Sequence, residues 1–237
     1  MIIFIKLILA HLLGDFIFQP RQWVEAKEQK KLGSYQFYLH LLVHGLLLLL
    51  LVADIGFWPF ALGIALAHGL IDLVKLFAQN EQSRRYWFFI DQFAHLLSLV
   101  IALWFYDSSL FAGMETITDK HWLSITIFVF LSLPASMTIK TFISRWTPLP
   151  DEHSASLDKA GQYIGILERW FVFVFIMAGR WEAIGFLVAA KSVFRFGDLR
   201  QSKDRKLTEY ILIGTLLSFG LAILSGWLYE QYASQWP

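Results

Sequence analysis

The stretch YLHLLVHGLLLLLLVADIG at 38–56 decides the fold class. Its run from Leu46 to Ala53 is unbroken hydrocarbon, and the only ionisable groups before it are Tyr38, His40 and His44. Wound as a helix at 1.5 Å per residue, such a segment crosses the roughly 30 Å apolar layer of a bilayer, which takes about 17–25 residues. Segments of the same kind lie at 2–19, 58–79, 88–106, 121–143 and 208–229. A further pair of shorter apolar arms at 164–197 is interrupted by Gly179, Arg180, Trp181 and Glu182, as in a hairpin or a re-entrant pair. The expected architecture is therefore all-α: a polytopic integral membrane protein of eight transmembrane helices, six spans plus the short helical pair.

Composition agrees. Of the 237 residues 57% are hydrophobic, 17% aromatic and only 16% charged, against about 45–50% apolar and about 25% charged in soluble domains. Disorder, collagen and coiled coil are excluded. There is no cysteine, so any metal must be held by nitrogen and oxygen. The net charge of +1 is spread over short connections, which gives no support for nucleic acid as a partner. The N-terminal Met1-Ile2-Ile3-Phe4-Ile5 lacks the basic start and the small-residue cleavage site of a secretory signal, and reads as a retained first helix.

Positive charge sets the orientation. Arg21, Lys27, Lys30 and Lys31 follow the first span, Arg84 and Arg85 the third, Arg145 and Lys159 the fifth, and Arg200, Lys203, Arg205 and Lys206 the seventh. Lys120 and Arg180 are the exceptions on the opposite connections. By the positive-inside rule the charged loops face the cytoplasm and both termini lie outside. The stretch 145–162, with Pro148 and Pro150, reads as a loop between a five-helix front and a three-helix back. The expected domains are a four-helix membrane domain at 1–110, continuous with C-terminal membrane helices at 111–237.

The chemistry lies in the front four spans. They carry His11 and Asp15, His40 and His44, His68 and Asp72, and Asp91 and His95, each pair four residues apart. That spacing puts both side chains on one helix face, a turn apart. The pattern is one helical hairpin used twice, which predicts a pseudo-twofold four-helix bundle. With alternating helix direction all eight groups fall near the cytoplasmic leaflet. An acid facing lipid costs about 2.5–3.5 kcal/mol on insertion scales, so these groups must face inward and find partners. A His–Asp network that only fixes helix packing is the plainer alternative, but four matched pairs at one depth favour metal.

Eight N and O ligands suffice for two divalent transition-metal ions, Zn first, with Fe or Mn as alternatives. Asp15, Asp72 and Asp91 are the candidates for a bridging carboxylate or a general base. Gln19 and Gln92 are candidate hydrogen-bond partners of these ligands. His121 and His153 fall outside the pattern. In the back half, Lys191 and Arg195 are candidates to hold an anionic head group, with Glu168 and Glu209 orienting them; the alternative is snorkelling anchors and ion pairs, a reading that also covers Arg169.

The motifs HLLGDFIFQ (11–19), HLLVHG (40–45), HGLIDLVK (68–75) and DQFAHLLSL (91–99) resemble those of the bacterial membrane protein family known as domain of unknown function 3307. The resemblance spans about the first 110 residues; IGILERW, AAKSVFRF and TEYILIGTLLS look like an extension found in part of that family. It implies a bacterial inner-membrane location and importance for the His/Asp motifs, and names no substrate. The residues themselves predict a membrane-embedded, metal-dependent hydrolase that acts on a membrane lipid or lipid-linked substrate, phosphate-bearing or otherwise, at the cytoplasmic leaflet. Two alternatives use the same ligands: a divalent-cation transporter and a di-iron lipid oxidase. The many ligands near one leaflet speak against the first, and the three acids against the second.

Overall fold

The structure is a computed structural model describing residues 2–106, 118–147, 158–201 and 205–233, and every regular element among them is helical. The chain divides into two compact units, Met1–Val129 and Phe130–Pro237. The domain boundary expected at 110–111 lies outside the described residues.

In the first unit, α1 (Ile2–Leu12) runs into a π-helical turn, Leu13–Ile17. Pro20 stops it, because a proline disfavours helical conformation at the residue before it, and Pro20 itself is extended. The polar helix α2 (Arg21–Lys30) then leaves at a steep angle, the two arms being bent by 82°. α3 (Tyr35–Val52) ends at Ala53, whose left-handed φ of 59° lets its N–H reach Leu49 O. The Asp54 side chain accepts from the Gly56 N–H at 2.8 Å and so shapes the turn into α4 (Trp58–Ala78), which begins with Pro59 in its first turn. α5 (Arg84–Tyr106) completes the set.

These helices pack in a closed ring, α1 against α3, α3 against α4, α4 against α5, and α5 against α1. Their inward stripes explain the ring. On α3 the buried positions are 37, 40, 44, 48 and 52; on α5 they are 91, 95, 99 and 103. Each stripe carries the polar pair near its start and continues in apolar residues. Leu7, Leu48, Val52, Phe57, Ala61, Ile64, Leu99 and Leu103 thus form one apolar core. The outward positions, such as Leu42, Leu46, Leu50, Phe93 and Phe105, are exposed hydrocarbon. Between such helices lipid offers no hydrophobic gain, so close packing and interhelical hydrogen bonds hold the ring together.

The second unit takes in the end of α6 (Thr118–Leu131), then α7 (Leu133–Ile143), α8 (Asp158–Met177), α9 (Trp181–Gln201) and α10 (Arg205–Ala233), with α7, α8 and α10 mutually packed. The expected 121–143 span is broken at Ser132, with α6 and α7 bent by 41°. The helix termini freed by the break are satisfied by Arg169 of α8, which is 3% exposed. Its Nε donates to Leu131 O at 2.7 Å, Nη2 to Ser132 O at 3.0 Å and to Ser136 Oγ at 2.5 Å, and Nη1 to Ser218 Oγ at 3.1 Å. A cation at a helix C-terminus is electrostatically placed. Arg169 is thus a buried staple, not a snorkelling anchor, and Arg169→Met is expected to cost about 1.5–3 kcal/mol, the worth of a charged hydrogen bond. Thermal unfolding in detergent checks this: a markedly lower Tm supports the staple, and an unchanged Tm contradicts it.

Among the described residues, five helices are long and apolar enough to cross a membrane: Tyr35–Val52, Ile55–Ala78, Arg84–Tyr106, Ala160–Met177 and Lys206–Tyr232. The number rises to seven if each of the two bent pairs is one span. Among the described residues the expected eight are not reached. The interruption in 164–197 falls where expected, with Gly179 at φ 65°, but only its first arm is a full span; α9 is too polar to count.

Candidate metal centre

The eight paired His and Asp residues come together inside the four-helix ring. Asp15 is at the centre, with a nitrogen of every one of the five imidazoles within 3.9 Å of its carboxylate. The two oxygens divide them. Oδ1 faces Nε2 of His44 at 3.0 Å, of His40 at 3.3 Å and of His68 at 3.4 Å. Oδ2 faces His11 Nδ1 and His95 Nδ1, both at 3.9 Å, and accepts from Gln92 Nε2 at 3.2 Å.

The π-helical turn makes this possible. Its widened backbone, closed by Phe18 N–H to Leu13 O at 2.8 Å, carries Asp15 and leaves Gly14 facing α3. A Cβ on Gly14 would lie 3.0 Å or less from Nε2, Cε1 and Cδ2 of His44. Such turns are rare and concentrate at functional sites.

Nε2 of His40 and Nε2 of His68 are 3.0 Å apart. Asp15 Oδ1 thus lies 3.0–3.4 Å from three ring nitrogens, two of which are themselves 3.0 Å apart, spacings within the range of a ligand shell. Bonds of about 2.0–2.1 Å imply ligand–ligand edges of about 3.3–3.4 Å. The wider ligand groups that would hold an ion are His11, Asp15, His44 and His68; His40, His68 and Asp72; and Asp15, Asp91 and His95. Within each, one ligand atom per residue lies within 4.8 Å of the others. Asp15 is shared between two groups, as a carboxylate bridging neighbouring ions would be; His68 is also in two, of which a neutral imidazole could serve one. Asp91 Oδ1 and Nδ1 of both His40 and His95 are buried with no hydrogen-bond partner, and buried polar atoms left so call for one.

Two lysines complete the centre, and neither was expected there. Lys27 Nζ donates to Asp72 Oδ2 at 2.6 Å and is almost wholly buried, although its place in a polar connection suggested a solvent-facing topology signal. Helix α2 folds it back over the ring, and Glu28 secures that helix by accepting from Gln79 Nε2 at 3.2 Å and Arg84 Nη2 at 2.5 Å. Lys75 Nζ donates to Asp91 Oδ2 at 2.8 Å. A signal for Lys75 existed, since His68, Asp72 and Lys75 share one face of α4 by their spacing. Nothing local announced Lys27.

Of the expected helpers, Gln92 links Asp15, Asp91 and His11: its Nε2 donates to both carboxylates and its Oε1 is 3.3 Å from His11 Nε2. Gln19 Nε2 is buried without a partner. In the second unit, Lys191 and Glu168 form an ion pair. Glu209 is exposed on α10, and the side chain of Arg195 lies outside the described residues, as does His153. His121 is exposed.

Residues 3–124 match the model of a family described as protein of unknown function (DUF3307), and the matched segment holds all eight residues together with Lys27, Lys75 and Gln92. No curated protein and no solved structure matches the chain.

Proposed function

Since the chain belongs to the DUF3307 family, a membership that assigns no activity, we propose from the centre itself that the protein is a membrane-embedded, metal-dependent hydrolase. Its substrate is a lipid or lipid-linked molecule, met at the cytoplasmic leaflet of a bacterial inner membrane. The reading rests above all on Asp15, whose two oxygens face separate sets of imidazoles in the manner of a carboxylate bridging two ions.

His40, His44, His68 and Asp15 would hold one ion, and Asp15, Asp91 and His95 the other. Divalent ions so placed supply an acidified water and Lewis-acid polarisation of the scissile bond. Asp91 would serve as a ligand: Lys75 holds its Oδ2, and its Oδ1, free of hydrogen bonds, is left for the ion. Lys27 keeps Asp72 turned so that Asp72 Oδ1 faces His68 and His95.

The carrier alternative is less favoured by the packing beyond the centre, where Leu48, Phe57, Ile64, Leu99 and Leu103 close the ring with buried hydrocarbon. The test is a hydrolysis screen of purified, metal-loaded protein in detergent against lipid phosphates and lipid esters. Turnover that a chelator stops and His68→Ala abolishes is expected. Transport of the ion into proteoliposomes by protein that hydrolyses none of these substrates would overturn the proposal.

A further inference from the structure

A charge count around the centre narrows the substrate class, on the premise that the metal reading above holds. Three carboxylates, Asp15, Asp72 and Asp91, face two ammonium groups, Lys27 and Lys75, and the five imidazoles add no charge while they act as ligands. The protein groups therefore sum to one negative charge. Two divalent ions would turn this into three positive charges in a ring walled by leucines, where an uncompensated charge is costly. A neutral ester leaves that excess in place. A phosphate monoester, with about two negative charges and three acceptor oxygens, removes most of it.

The donors for such a group are present and underused. An ammonium has three N–H donors; Lys27 spends one on Asp72 and Lys75 one on Asp91. Each pairs with a single carboxylate oxygen, Oδ2, so the other oxygen remains for an ion while the lysine stays in the site. A site whose ligands are acceptors and whose remaining unpaired groups include donors suits an acceptor-rich guest. We infer that Lys27 and Lys75 bind the phosphate group of the substrate, which is a phosphate-bearing molecule, and that the hydrolase is a phosphatase.

The inference is tested by calorimetric titration of the metal-loaded protein in detergent with inorganic phosphate and, separately, with dodecyl phosphate. Both bind the wild type if the inference holds; the tighter of the two tells whether the natural source is free or lipid-linked. With the variants saturated with metal, Lys27→Met and Lys75→Met are each expected to weaken phosphate binding about tenfold or more, about 1.4 kcal/mol. Lys27→Arg, which keeps the charge, should retain binding, and it serves with Lys75→Met should Lys27→Met fail to fold. Wild-type protein that holds metal but binds neither phosphate overturns this inference alone. So does binding that ignores both lysine substitutions, or phosphate binding that falls only in proportion to the metal the lysine variants lose. Wild-type protein that takes up no metal overturns the hydrolase reading and this inference together.

Discussion

Asp15→Asn is expected to empty the centre. The substitution keeps the size of the side chain, but a neutral amide has one oxygen where the carboxylate has two, and its nitrogen would point a donor at one of the two imidazole sets. Both ion positions share this residue, so metal content should fall for both together, and affinity by more than the 10–100-fold typical of groups that only support a ligand. Hydrolysis should fall below detection. Metal analysis after gel filtration checks this, with thermal unfolding to establish that the variant is folded. Retention of half the metal would show that Asp15 serves one ion and bridges nothing.

Gly14→Ala separates the requirements of the helix from those of the site. On helix propensity alone, alanine should stabilise this turn by about 1 kcal/mol. The new methyl group, however, would overlap the His44 ring, and overpacking of this kind costs about 1–3 kcal/mol. His44 is 3.0 Å from Asp15 Oδ1, so any shift that relieves the overlap draws it away from the shared oxygen. The expected outcome is lower metal affinity, with thermal stability unchanged or reduced. A variant that gains stability and keeps its metal would contradict the close packing of α1 on α3.

Much of this was legible in the sequence because lipid simplifies the physics. Hydrocarbon outside the ring forces polar side chains inward, so the i, i+4 spacing of His40 and His44, or of Asp91 and His95, was enough to place them on inward stripes. Counting spans was harder. The 121–143 segment reads as one apolar run, and its division at Ser132 depends on Arg169, which satisfies the freed carbonyls from another helix. Periodicity cannot register such a contact. The π-helical turn at Leu13–Ile17 is equally silent in hydropathy, with only Gly14 to hint at a close approach.

Lys27 shows the sharper limit. Counted as a loop charge, it served the positive-inside argument; in three dimensions it is nearly as buried as His11. Its location depends on the turn at Pro20 and on Glu28 fastening α2 near Gln79 and Arg84, so the information is spread over three connections. Lys75 is the contrast, since its partner Asp91 lies on the next helix and its own register with Asp72 is fixed within α4.

Five imidazoles and three carboxylates gathered as a metal centre should hold ions through purification. Elemental analysis of protein purified in detergent without added metal, then after equilibration with zinc, iron or manganese and removal of the excess, tests this most directly. About two transition-metal ions per chain are expected, lost in His68→Ala and in Asp15→Asn. Folded wild-type protein that retains no stoichiometric metal under any of these conditions would contradict it.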